Sequence, residues 1–150
     1  MPELDPNPSY MKPQFAVKLH EMGFDNGASQ AVMEPLGQGF TRSELYRSVL
    51  RVQEETQPVT QGLTNTLTGI RWLADSNYEM SFSPGLAMSE RIIFPVSPNE
   101  SNGIEDARFV RFANDDGTHT YYATYTAYDG KMILPQFIET VFAQILKRNI

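Results

Sequence analysis

Two aspartate–glycine pairs, Asp116-Gly117 and Asp129-Gly130, bracket a run rich in threonine, tyrosine and alanine, and this spacing constrains the fold more than any other feature. Asp-Gly supplies the positive φ that a tight hairpin turn needs. A strand from Thr120 to Tyr128 is therefore expected to pair with Ala107–Ala113 around Asn114-Asp115-Asp116-Gly117, and with Met132–Thr140 across the second turn. Upstream, Ile70-Arg71-Trp72-Leu73-Ala74 and Tyr78-Glu79-Met80-Ser81-Phe82 alternate as two short strands, with Asp75-Ser76-Asn77 as the turn between them. Arg91-Ile92-Ile93-Phe94 reads as a further strand, stopped by Pro95 and Pro98.

Before Ile70 the period is helical. Phe15, Leu19 and Met22 fall on one face from Lys12 onward, and Gly23 ends that run. A short helix is expected over Ala28–Glu34, ended by Pro35. Thr41-Arg42-Ser43-Glu44 is a capping box, in which the threonine hydroxyl and the glutamate each bond the other's backbone N–H. Leu45, Val49 and Val52 give that helix its apolar face, and Pro58 closes it. The organisation expected is a disordered or extended, proline-bearing lead-in over 1–11, a helical segment over 12–68 and an antiparallel β segment over 69–140. A tail over 141–150 is expected to form a short helix. The fold class is α+β by pattern, or a helical insertion on an all-β sheet. Consecutive short strands with aromatic alternation also fit about one to two blades of a propeller.

Composition narrows the function. With 150 residues and 41% of them hydrophobic, the chain can bury the core of one domain. A net charge of −6 repels a phosphodiester backbone, and no basic cluster offsets it beyond Lys147-Arg148, so nucleic-acid binding is disfavoured. The absence of cysteine excludes disulfides, thiol catalysis and thiolate metal sites. Met1–Pro13 has no apolar leader region and no run has transmembrane length, so a cytoplasmic protein with no membrane partner is expected. Asn99-Glu100-Ser101 matches a glycosylation sequon and is read as chance. His20 and His119 are too far apart in context to suggest a metal site, and no phosphate loop, serine elbow or zinc motif occurs.

The chemistry concentrates at Asn102-Gly103-Ile104-Glu105-Asp106-Ala107-Arg108-Phe109. Strand alternation puts Asp106 and Arg108 on one face, roughly 6–7 Å apart, with Glu105 turned away or in the preceding turn. Asp106 is then an acid oriented by Arg108, or the two form a structural ion pair. From residue types alone the ion pair is the commoner case. An adjacent arginine also stabilises a carboxyl group's charged form, which works against a direct proton donor. Thr124, Thr126 and Tyr128 share one face of the next strand, with Tyr121, Ala123, Tyr125 and Ala127 on the other. Asp129 is a turn residue by position, with hydrogen bonding to sugar hydroxyls at the sheet rim as its alternative role.

These segments resemble glycoside hydrolase family 130, the β-mannoside phosphorylases and mannosidases. The resemblance runs through Trp72-Leu73-Ala74-Asp75-Ser76-Asn77-Tyr78-Glu79, Ser89-Glu90-Arg91-Ile92-Ile93-Phe94-Pro95, Gly103-Ile104-Glu105-Asp106-Ala107-Arg108-Phe109, Thr124-Tyr125-Thr126-Ala127-Tyr128-Asp129-Gly130 and Ile138-Glu139-Thr140, about half the chain. It implies a five-bladed β-propeller with Asp106 as general acid, protonating the glycosidic oxygen through a sugar hydroxyl. Arg108, Tyr125, Asp129 and Glu105 would contact substrate. An oligosaccharide, a β-mannoside, is the implied substrate, with no cofactor and with inorganic phosphate as co-substrate in a phosphorylase. The family pattern continues past Glu139-Thr140, and its phosphate-binding basic segments have no counterpart here. The chain is therefore expected to be an incomplete and inactive piece of such an enzyme, self-associating through exposed sheet edges. A non-catalytic carbohydrate-binding or interaction module is the alternative, and an inactive product of a decaying gene a third.

Overall fold

A computed structural model describes residues 2–141 and 144–148, with 141 and 144–148 described by backbone alone. The described residues form four α-helices and two antiparallel sheets, neither closed on itself, and they divide into two compact units, Asn7–Ala74 and a second built from Met1–Pro6 with Asp75–Ile150. Among them no helix is long and apolar enough to cross a membrane.

The first unit opens with β2 (Ser9–Met11), following a two-residue strand, β1 (Glu3–Leu4), that belongs to the second unit. Helix α1 (Lys12–Glu21) follows and ends before Gly23, whose φ is +78°. Helix α2 (Gly27–Met33) is capped by Asn26, whose side chain accepts from the N–H groups of Ala28 and Ser29. The capping box at Thr41 and Glu44 forms as the sequence suggests and starts α3 (Arg42–Glu55) directly after β3 (Gly39–Thr41). β2 and β3 pair with Tyr10 opposite Phe40, so these rings and Phe15 meet at centroid distances of 5.4–5.6 Å. Leu45, Val49 and Val52 of α3 complete a core shared with Val32 and Leu19.

Three expectations are corrected here. Ile70–Ala74 is not a strand but the C-terminal part of α4 (Gln61–Asp75). The five-residue alternation is ambiguous alone; the longer window decides, because Leu63, Leu67, Ile70 and Ala74 recur at helical spacing and are all buried. The 1–11 lead-in is extended but not disordered: Glu3 and Leu4 pair with Ser81 and Met80, and Ser9–Met11 with Gly39–Thr41. Its prolines at 2, 6 and 8 stand outside the paired positions, where a missing N–H costs nothing. The expected tail helix is instead, over 144–148, the strand β8 (Gln144–Arg148).

The second unit is a six-stranded sheet in the order β1-β4-β8-β7-β6-β5, where β4 is Glu79–Ser81, β5 Gly103–Ala113, β6 His119–Tyr128 and β7 Ile133–Val141. Both aspartate–glycine turns lie where the sequence puts them: Gly117 and Gly130 have φ of +83° and +94°, and Asn114 and Thr118 close the first turn at 2.9 Å. Arg91–Phe94 forms no strand. Ile92 and Phe94 are exposed while Ile93 packs inward against both apolar clusters of this unit, so the alternation is real. No ladder accompanies it among the described residues.

Gly69 of α4 marks a close approach: a Cβ built there would lie 2.2 Å from the Phe24 ring. Alanine would gain about 1 kcal/mol of helix propensity but overpack by roughly 1–3 kcal/mol. Gly69→Ala is expected to lower the urea midpoint of the helical unit, read by the fluorescence of Trp72, the sole tryptophan. A raised midpoint would show that the ring yields freely.

Candidate functional site

The inward face of the sheet is set by alternation along β6. Ala123, Tyr125 and Ala127 are buried with Ile138 of β7, while Thr124 and Tyr128 on the other face are exposed. Over this inward face lies a groove of about 690 Å³. Tyr121, Tyr125 and Phe109 line it from the sheet, and Phe82, Ile92 and Ile93 from the irregular segment. Glu105 and Asp106 are the carboxylates in its lining. Arg91 stands at the same groove, its guanidinium 5.9 Å from the Phe82 ring centroid and donating to the Leu86 carbonyl at 3.3 Å.

Asp106 reaches the groove through a β-bulge. Glu105 pairs with Thr126 and Arg108 with Thr124, so Asp106 and Ala107 together face the single residue Tyr125. Asp106 has φ of +57°, the left-handed region, which aspartate tolerates better than most residues. Regular alternation therefore fails at this point, yet Asp106 and Arg108 still meet: Arg108 Nη2 donates to Asp106 Oδ2 at 2.8 Å. Both side chains are open to solvent, at 61% and 76% exposure, so the pair contributes on the order of 0–1 kcal/mol to stability. Arg108 holds Asp106 and does not itself line the groove.

Of the other residues implied to contact substrate, Tyr125 turns its hydroxyl away from the groove and Asp129 serves the turn that its position suggested. Tyr125 is 6% exposed and forms the floor, offering ring but not hydroxyl, because its O–H donates inward to Glu100. Asp129 is outside the groove lining. Its Oδ1 accepts from the N–H groups of Lys131 and Met132 at 2.8 and 2.7 Å, which lock the β6–β7 turn and hold its carboxyl below the usual carboxylate range. Thr124 and Thr126 lie on the face opposite the groove, and Thr140 of β7 lines it. Among the described residues no cluster of His, Cys, Asp or Glu is placed to hold a metal ion.

The group that sequence reasoning missed is Glu100, which is fully buried. Its carboxylate accepts from the N–H groups of Val96 and Ser97 at 2.9 Å, from the Tyr78 hydroxyl at 3.3 Å, and from the Tyr125 hydroxyl. Burial, and then the Glu100 carboxylate, push both phenols well above their ordinary ionisation range. A signal was present: Ser97-Pro98-Asn99-Glu100 has capping-box spacing, and Glu100 folds back onto the Ser97 N–H as that spacing implies. Asn99, the sequon asparagine, is also buried and donates to Ser76 Oγ at 3.1 Å.

Removing the Glu100 carboxylate takes away an acceptor shared by two buried phenols and two backbone donors, so Glu100→Ala is expected to cost about 3 kcal/mol or more. The phenols add a pH dependence of definite sign. A phenol that ionises with more difficulty when folded contributes stability that is fully present below its unfolded value, about 10, and is lost as pH climbs above it. The urea midpoint is expected to stay level up to that point and fall beyond it, and Tyr78→Phe with Tyr125→Phe to flatten the fall. A midpoint that holds through the alkaline range would contradict this. No family model, curated protein or solved structure matches the chain.

Proposed function

We propose that this chain is a carbohydrate-active protein of the glycosidase or glycoside-phosphorylase kind that carries the general acid, Asp106, for a β-mannoside substrate but does not turn it over by itself. The observation that carries this reading is the placement of Asp106. A strained, arginine-clamped carboxylate stands at the mouth of a groove walled by flat rings, and backbone strain of this sort is kept where function needs it. Aromatic walls suit the apolar faces of a pyranose, and a charged oxygen suits its hydroxyls. In the reaction proposed, the Asp106 carboxyl proton passes through a sugar hydroxyl to the glycosidic oxygen as the anomeric C–O bond breaks. A phosphate oxygen, or the oxygen of a water that releases one proton to solvent, bonds the anomeric carbon from the opposite face as that bond breaks. The β unit would be part of a propeller, and a cysteine-free chain suits the cytoplasm.

A second reading has its own support. Inverting chemistry needs two groups on opposite sides of the sugar, roughly 6.5–9.5 Å apart when both are carboxyls. The acids of the described groove, Glu105 and Asp106, are neighbours in sequence at one rim. These residues therefore favour carbohydrate binding over turnover by this chain alone.

Asp106→Asn separates these readings without disturbing the fold, because asparagine also tolerates the left-handed conformation; its stability is expected within about 0.5 kcal/mol of the parent. Asp106→Val is expected to cost about 1–2 kcal/mol. Titration with mannobiose is expected to shift the NMR resonances of groove residues, about tenfold more weakly in Asp106→Asn. Neither mannose nor mannose 1-phosphate should appear above buffer, with or without inorganic phosphate. Turnover abolished by Asp106→Asn would establish a complete catalytic site in this chain, and absence of any shift would overturn the carbohydrate reading.

A further inference from the structure

The strand that carries Asp106 is also a margin of its sheet. β5 pairs with β6 on one side and with no strand of the described residues on the other. Such an edge presents a row of unpaired backbone donors and acceptors, which proteins blunt with charged side chains, proline, bulges or brevity. β5 is 11 residues long, has neither lysine nor proline, and past its bulge carries only Arg108 and Arg111 as charges. Phe109, Val110 and Phe112 are 57–61% exposed along it. The bulge at Asp106 and Ala107 interrupts only its beginning, so Arg108–Ala113 is a regular, open edge.

We propose that this edge pairs antiparallel with the same edge of a second copy of the chain, about a two-fold axis through Val110. The residues along the edge select both the partner and the register. In a continuous antiparallel sheet, residues directly opposite share a face, so the two-fold axis must pass through a residue. An axis at Arg108 or Arg111 sets two guanidinium groups against each other, which is destabilising. An axis at Val110 pairs Arg108–Phe112, five of the six residues of the regular stretch. It places Arg108 opposite Phe112 of the second copy and Phe109 opposite Arg111 of the second copy, each pair occurring twice by symmetry. Arginine–aromatic contacts then flank a Val110–Val110 contact on both sides, with no like charges opposed. Phe109 lines the groove, so this pairing sets Arg111 of the second copy at the groove's margin.

Sedimentation velocity on the full chain at NMR sample concentrations is expected to give twice the chain mass. Val110→Lys opposes two like charges on the axis and is expected to return the mass to one chain. Its circular dichroism should be unchanged, since the position is 61% exposed. Register is read independently by single cysteines, the parent having none. Opposite Cα atoms lie about 4.5–5.5 Å apart, within disulfide reach, so Val110→Cys is expected to cross-link to a covalent dimer on mild oxidation. Phe112→Cys places its two sulfurs four residues apart along the strands, about 14 Å, and is expected to remain uncrosslinked. A monomeric parent, a dimer that survives Val110→Lys, or cross-linking of Phe112→Cys ahead of Val110→Cys would each overturn the proposal.

Discussion

The β unit depends on one buried charge. Glu100 draws together Tyr78, which immediately precedes β4, and Tyr125 of β6, strands separated in the sheet by β7 and β8. In a flat sheet β4 and β6 would stand about 14 Å apart, three inter-strand spacings. Two phenols converging on one carboxylate span that distance and tie the irregular segment before β5 to the sheet. The backbone donors of Val96 and Ser97 fix the carboxylate from the other side. A buried charge supported in this way is costly to break, because every donor it satisfies is then stranded.

Through this tie the segment from Phe82 to Ile93 becomes the second wall of the groove. Ile93 packs into both apolar clusters and leaves Ile92 lining the open side. The irregular segment therefore has a defined position without any strand ladder, held by Phe82, Leu86 and Ile93 in the apolar clusters and by the Glu100 carboxylate. The helical unit is built on another principle. Its capping residues, Asn26 and Thr41, start two helices whose apolar faces meet on the Phe15 and Phe40 rings.

Local signals carried much of this into the sequence. Helix α3 was legible because a capping box, an apolar face and a following proline all agree. The β5–β6–β7 meander was legible because turn chemistry brackets alternating residues. Ile70–Ala74 misled because five residues fit either period, and the window that decides lies upstream. Arg91–Phe94 misled because alternating burial does not require a paired edge. At the site, the contact between Asp106 and Arg108 follows from their spacing, but the bulge that aims Asp106 does not. Residue types alone did not indicate that Tyr125 would turn its hydroxyl inward, whereas Asp129 serves the turn that its position suggested. Glu100 lay hidden because a carboxylate is usually solvated, and only its partners, distant in sequence, explain its burial.

The bulge also fixes the parity of everything after it. Ile104 and Phe109 are an odd number of positions apart, yet Ile104 lies opposite Ala127 and Phe109 opposite Ala123, both on the inward face. One extra residue makes that arrangement consistent. Loss of a single residue from the pair Asp106-Ala107 would invert the strand from Arg108 to Ala113, turning two arginines' worth of pattern inside out: Arg108, Val110 and Phe112 would face the groove and Phe109 and Arg111 the outside. Relatives of this chain that keep the groove should therefore keep the number of residues between Glu105 and Arg108.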